Sequence, residues 1–245
     1  MRQSTLHRSR IVPAAALALG VLVVAASAAL AAGKPGYPTR VAWGGASWQV
    51  KTSTSAVGPG PCVFAAANVS VDAADALHLR ISQVAGRWTC AEVIGPTSFG
   101  YGTYSFVLGP LAEFDPNVVL GLFTWSDRAR YAHREIDIEV AKWGNASDAT
   151  NAQFVVQPWD APDHLHRFSV PWGVRTLQQF TWRKGEVSWL ATDLSTGAEI
   201  ARYRYAGSDV PVPGDERVRL NLWLFNGSAP AGPAEVVVES FVFAP

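Results

Sequence analysis

From Val41 onward the chain shows no helical period, only short alternations of apolar and polar residues, each cut off by turn chemistry. Fourteen such segments can be marked: 48–52, 63–71, 77–83, 87–93, 100–108, 118–125, 134–141, 152–157, 166–170, 179–183, 186–191, 199–205, 217–225 and 235–243. Between them stand Val57-Gly58-Pro59-Gly60-Pro61, Asp72-Ala73-Ala74-Asp75 and Asn226-Gly227, residues that favour turns. Trp182-Arg183-Lys184-Gly185-Glu186-Val187 reads as a hairpin closed by a two-residue Lys-Gly turn. Parallel strands would need crossover helices, so the segments predict an all-β fold of antiparallel sheets stacked as a β-sandwich or jelly roll. With no internal repeat and no linker, residues 32–245 are expected to form one domain.

The first 31 residues read differently. Arg2, Arg8 and Arg10 precede an apolar run from Ile11 to Leu30, and Ala29-Leu30-Ala31 supplies small residues around a cleavage point. This is the pattern of a secretory signal cleaved near Ala31, which predicts a secreted protein with no membrane contact after cleavage. The run is also long enough to compete as an uncleaved anchor. Without it, 17 basic and 20 acidic residues leave a net charge of −3. That balance offers no electrostatic footprint for nucleic acid, which is excluded as a partner. Ten tryptophans exceed what packing alone requires, so part of them is expected to line a binding surface. The two cysteines, Cys62 and Cys90, are expected to pair in an oxidising compartment, the alternative being two buried thiols.

Glu135-Ile136-Asp137-Ile138-Glu139-Val140 is the segment that carries chemistry. On a strand its three acids share one face and its three aliphatics the other. A solvated face seldom repeats one charge sign, because neighbouring like charges repel. The row is therefore a merely acidic exposed strand, an ion-binding row, or a catalytic row with pKa values pushed apart. A single ion is poorly served by acids spread over about 13 Å of strand. His164 and His166 lack a third ligand at fixed spacing, so no metal site is expected. Glycoside hydrolysis fits better, since it needs one carboxylate as nucleophile and one protonated carboxyl as acid. Asp137, sharing a proton with its neighbours, would keep the three from ionising together.

Glu135-Ile136-Asp137-Ile138-Glu139 resembles the Glu-x-Asp-x-Glu signature of glycoside hydrolase family 16, in the form found in bacterial lichenases, the β-1,3-1,4-glucanases. Its flanks agree in order: Tyr101-Gly102-Thr103-Tyr104, Leu122-Phe123-Thr124-Trp125, Asn221-Leu222-Trp223, and Cys62 with Cys90-Ala91-Glu92. The resemblance implies a concanavalin A-like jelly roll and a retaining mechanism. By it, Glu135 is the nucleophile, Glu139 the acid/base, and Asp137 assists through a proton shared with Glu135. Phe123, Trp125 and Trp223 become sugar-stacking platforms, with core packing as the alternative, and Asn221 a polar neighbour of the catalytic strand.

Several cleft positions depart from the lichenase pattern. His133-Arg134 replaces a Trp-Asp pair, and His133 keeps the parity of Glu135, either to touch sugar or simply exposed. Ile94 stands where a cleft arginine is usual, Val155 and Gln157 replace polar and aromatic cleft residues, and residues 58–61 replace a substrate loop. Gln157 and Trp159 are candidates for substitute sugar contacts. Glu239 falls where relatives carry an Asp for structural calcium; its longer side chain speaks against calcium, and no cofactor is required. The expectation is a monomeric, secreted, retaining endo-β-glycosidase acting on a polysaccharide, a β-glucan first among them. The alternatives are a non-catalytic lectin-like module and a transglycosylase using the same site.

Overall fold

A computed structural model describes residues 34–131 and 134–245; the expected signal segment and His133 lie outside the described residues. Sixteen strands form in chain order among the described residues. They are β1 (Gly36–Trp43), β2 (Ala46–Thr52), β3 (Val69–Val71), β4 (Leu77–Val84), β5 (Arg87–Thr89), β6 (Ala91–Ile94), β7 (Gly102–Leu108) and β8 (Val118–Trp125). There follow β9 (Ile136–Val140), β10 (Ala152–Val156), β11 (Leu165–Phe168), β12 (Thr176–Arg183), β13 (Glu186–Asp193), β14 (Glu199–Ala206), β15 (Arg217–Leu224) and β16 (Ala234–Ala244).

Two antiparallel sheets stack as the sandwich that the alternations predict. The front sheet runs β1-β2-β6-β15-β8-β9-β10-β11, and the back sheet β14-β13-β12-β7-β16-β4-β3, with β5 attached to β4. Alternate residues of each front strand point inward: Val50, Val93, Leu220, Leu222, Leu120, Leu122, Ile136, Ile138 and Phe154 are all fully buried. They meet Leu79, Ile81, Tyr104, Phe106, Phe180, Trp182, Trp189 and Val236 of the back sheet, equally buried. Burying such side chains on both inner faces is what holds the layers together. The core also positions the acidic strand directly: the Trp189 indole N–H crosses from the back sheet to the Asp137 carbonyl at 3.1 Å.

Several boundaries differ from the alternation-based reading. The 63–71 segment is broken by a 3-10 turn, Ala66–Asn68, because the buried Asn68 amide binds the Thr89 carbonyl at 2.8 Å and draws the chain inward. The 87–93 segment is two strands: β5 pairs with β4 of the back sheet, whereas β6 pairs with β15 and β2 of the front sheet. Cys90 is the crossing point, and its disulfide to Cys62 fixes that crossing. The hairpin at Lys184-Gly185 forms with Arg183 opposite Glu186, Gly185 taking the positive φ of 73° that its turn needs. β1 escaped the reading because it is an edge strand with Pro38 and several exposed residues, so it has no clean alternation.

The Cys62–Cys90 bridge spans 28 residues. Closing a loop of that length stabilises by roughly 3 kcal/mol in the chain-entropy description. Replacing both cysteines by Ser is expected to lower Tm by about 6 to 12 °C in a domain of this size, read by calorimetry. An unchanged Tm would show that the crossing needs no covalent tie.

Candidate active site

Strand register places the acidic row on the outer face of the front sheet. Residues directly opposite on paired strands point to the same side, and Glu139 lies between Gly121 of β8 and Gln153 of β10. Asp137 lies between Phe123 and Val155 in the same way. Further along, Arg219, Asn221 and Trp223 of β15 stand opposite Phe123, Gly121 and Val119. Glu92 and Ile94 of β6 face Asn221 and Arg219. One continuous floor thus runs across the strands with the acids near its centre.

Regular pairing of β9 begins at Ile136, two residues later than expected. The Thr124 hydroxyl causes the delay by donating to the Arg134 carbonyl and accepting from the Ile136 N–H, at 3.3 and 3.2 Å. Glu135 is still held in register, because its carbonyl accepts the Gln157 N–H at 3.1 Å.

Two cavities open on this floor and meet at Glu135. One, of about 390 Å³, lies towards β2 and β6 and is lined by Phe123, Trp125, Lys51, Glu92 and Arg219. The other, of about 560 Å³, lies towards β10 and β11, and it alone of the two includes Glu139. Trp143, Gln153, Gln157, Trp159, Arg167 and Trp223 line it. The expected sugar contacts Phe123, Trp125, Gln157, Trp159 and Trp223 therefore all border one cavity or the other. Phe123 and Trp223 do so with only an edge exposed, 8% each, and Trp159 with 60%.

Asn221 lies beneath this surface. Its amide oxygen is buried without a hydrogen-bond partner and would stand 2.5 Å from a Cβ at position 121. Gly121 is therefore the residue that lets Asn221 reach across β8 towards the acids.

The surroundings of the three carboxyls differ. Asp137 is almost wholly buried, whereas Glu135 and Glu139 keep partial exposure. The Gln153 amide donates to Glu139 at 2.7 Å, and Gln153 is itself held by the Arg167 guanidinium and the Trp143 indole at 3.1 and 3.2 Å. Gln157 donates to Asp137 at 3.3 Å. Burial, offset by Gln153 and the Arg167 charge, pushes Glu139 up to about 7. Burial, then the Glu139 charge, push Glu135 up to about 8. Burial first and the two Glu charges next raise Asp137 well above the carboxylate range, and a hydrogen bond between Asp137 and Glu135 raises the former while lowering the latter. Burial and mutual repulsion thus keep the three carboxyls from ionising together.

On the β2–β6 side, charges are locked to one another. Glu92 binds Lys51 at 2.8 Å and Arg219 at 3.0 Å, and Arg219 also binds Asp127 at 2.7 Å. Against burial, the Arg219 charge holds Asp127 below the usual carboxylate range. The cleft arginine missing at Ile94 is met by Arg219, its partner directly across the strand pair. Arg219, Lys51, Gln153, Arg167 and Trp143 were not among the sequence candidates. The parity of Arg219 with Asn221 and Trp223 was the one signal available for it. Trp143 follows the end of β9 at a φ of 51°, so strand alternation carried no information about its direction.

His164 and His166 do not converge. His164 binds the Tyr205 hydroxyl and the Pro158 carbonyl at 2.8 and 3.0 Å, while His166 stacks on Tyr203. The Glu239 carboxylate is bonded to Arg175 at 2.6 Å.

Raised carboxyl pKa values have a stability consequence. Such groups favour the fold while protonated, so their contribution is full below the unfolded values near 4 and is lost as pH rises through about 7 to 8. Tm is expected to decline between pH 5 and 8, and Asp137→Asn to flatten that decline by removing one buried acid, as followed by thermal melts across the range. An equal slope in the variant would contradict the assignment.

No protein-family model and no curated protein sequence matches the chain. Solved structures do match. A Bacillus licheniformis β-glucanase aligns at 19% identity and a TM-score of 0.63, over 81% of this chain and 92% of its own. A prokaryotic β-1,3-1,4-glucanase (lichenase) derived from a mouse hindgut metagenome aligns at 24% identity and 0.58, over 81% and 92%. A Bacteroides ovatus mixed-linkage glucan GH16 protein, in complex with a G4G4G3G product, aligns at 12% identity and 0.63, over 80% and 94%. The chain thus has the jelly-roll fold of these β-glucanases.

Proposed function

We propose that the chain is a secreted, retaining member of glycoside hydrolase family 16 that cleaves a neutral β-glucan. The observation that carries this reading is the Glu135-Asp137-Glu139 row at the junction of two cavities, with burial pushing Glu139 up to about 7, where an acid works near neutral pH. In the first step the Glu135 carboxylate attacks the anomeric carbon while Glu139 protonates the departing oxygen, breaking the glycosidic bond. In the second, Glu139 takes a proton from water, which attacks the same carbon and releases Glu135. Asp137, by holding its proton on Glu135, keeps the row from accumulating three charges and gives that proton a place to rest as the ester forms and breaks.

Charge supports a neutral polymer. Lys51 and Arg219 are paired with Glu92 and Asp127, and Arg167 with Asp148, so the cations lining both cavities are already bound to acids. A sulfated or uronate chain would meet the acidic row with no free cation from these three. The glucan product bound by the Bacteroides ovatus neighbour supports a glucan here as well.

A lectin-like module is the second reading, but binding alone has no use for a buried row of like charges that disfavours the ionised fold. A substrate panel tests the choice. Lichenan or laminarin is expected to yield new reducing ends, and carrageenan none. Binding of these glucans without cleavage, unaltered by Glu135→Gln, would favour the module.

A further inference from the structure

The loop between β10 and β11, residues 157–164, carries two residues that line the larger cavity, Gln157 and Trp159. The Gln157 side chain donates to Asp137 at 3.3 Å and accepts the Trp159 N–H at 3.0 Å. The loop has little burial of its own to hold this shape: Trp159, Asp160, Pro162 and Asp163 are all exposed. Segments of that kind open at low cost unless something ties them down. Here the tie is His164, 2% exposed at the loop's end.

The tie reaches β14, the edge strand of the back sheet, and the turn after it. The Tyr203 hydroxyl donates to the Asp163 carbonyl at 2.6 Å, and the His166 ring of β11 stacks on Tyr203. His164 Nδ1 lies 3.0 Å from the Pro158 carbonyl oxygen. Its Nε2 lies 2.8 Å from the Tyr205 hydroxyl and 3.1 Å from one Asp209 carboxylate oxygen. The Tyr205 hydroxyl lies 2.7 Å from the other Asp209 oxygen.

The available protons decide the state of the ring. A carbonyl only accepts, so Nδ1 carries a proton. Burial, then the bond to Asp209, push the Tyr205 phenol up to about 12, so it keeps its single proton. The Tyr205 bond, ahead of the opposing effect of burial, holds Asp209 below the usual carboxylate range, as an acceptor only. The three contacts among Nε2, the phenol oxygen and the carboxylate need two protons, and the phenol supplies one. A neutral ring would aim its lone pair at Asp209. The second proton therefore sits on Nε2, and the ring is an imidazolium. Asp209 across the contact and Asp163 beside it are the acids that face it, and Tyr203, Tyr205 and His166 are the other titratable groups around it. A buried charge of this kind is held by its partner and is costly without it.

We propose that His164, as an imidazolium held by Asp209 and Tyr205, is a positioning residue for substrate: it fixes the loop that places Gln157 and Trp159 in the cleft, so that glucan affinity depends on a charge pair at the edge of the back sheet. This rests on the β-glucan reading above.

The test uses Asp209→Asn, which removes the pairing charge at an exposed turn and keeps the side-chain shape. Hydrogen exchange in the peptide covering residues 157–164 is expected to quicken about tenfold in the variant, with the β9 peptide keeping its native rate. In the native protein, 15N resonances are expected to show a proton on both His164 ring nitrogens near neutral pH. On the β-glucan that the substrate panel shows to be cleaved, Asp209→Asn is expected to raise KM about tenfold and to change kcat less than about threefold, since a loosened indole must be immobilised on binding. Asp209→Glu, which restores the charge, should recover most of that loss. The pair acts through Trp159, so Asp209→Asn is expected to add nothing to the KM of Trp159→Ala. Unchanged exchange, or a ring with one bare nitrogen, would overturn the tie even with cleavage intact. Quicker exchange with KM unchanged, or equal KM increases with and without Trp159, would overturn its link to substrate. A panel in which no glucan is cleaved would remove the glycosidase reading, and the substrate half of this inference with it.

Discussion

Glu135→Gln is expected to reduce kcat on a neutral β-glucan by on the order of 10⁵-fold, the scale seen when a nucleophile that acts in a concerted unit is lost. The amide keeps the shape of the carboxylate and can still accept the Asp137 proton, so packing and Tm should stay close to the native values. What disappears is the charge that forms the ester. Glu135 borders both cavities, whereas Glu92 and Asp127, which also line the smaller one, are tied to Lys51 and Arg219. Asp137 is buried beside it, and Glu139 is directed by Gln153 into the other half of the cleft. A loss smaller than about tenfold, with the fold intact, would mean that Glu135 is not the attacking group.

Glu139→Ala should show a different signature. General acid–base assistance is worth roughly 10² to 10⁴-fold, and that loss is expected on a polysaccharide, whose leaving oxygen needs a proton. On an aryl β-glucoside with a good leaving group the first step should be nearly spared, leaving deglycosylation slow. Azide, small enough to enter the space left by the side chain and needing no base, is expected to restore turnover and give a β-glycosyl azide. The pH profile should change with it. Glu139 must be protonated to act as acid, so native activity declines as pH rises through about 7, and the variant should lose that alkaline limb. An alkaline limb unchanged in Glu139→Ala would assign the titrating acid elsewhere.

How much of this was legible in the sequence follows from periodicity. The acids at 135, 137 and 139 could be put on one face because strand alternation survives any detail of pairing, whereas Phe123, Trp125, Asn221 and Trp223 were put on the cleft side by the family resemblance. It does not extend past a strand's end. Trp143 lies beyond β9 at a positive φ, and Trp159 sits in the loop after β10, so the larger cavity was only partly visible. Nor does alternation reveal partners. The Lys51-Glu92-Arg219-Asp127 chain joins residues on three strands and the segment after a fourth, and it exists because β6 and β15 are neighbours in the sheet though far apart in the chain. The break at Ala66–Asn68 was hidden for a related reason. Asn68 leaves the alternation to reach Thr89, and a buried polar contact of that kind has no periodic trace.

A covalent glycosyl ester on Glu135, at the junction of the two cavities, is the intermediate the retaining mechanism requires. Its most direct test is mass analysis of the intact protein after reaction with a 2-deoxy-2-fluoro β-gluco-oligosaccharide bearing an activated leaving group, which slows release of the ester. One added glycosyl mass is expected, mapping to the peptide that contains Glu135, discharged slowly on dilution into acceptor sugar, and absent from Glu135→Gln. A protein that cleaves β-glucan yet acquires no mass, or acquires it on Glu139, would show that Glu135 is not the nucleophile.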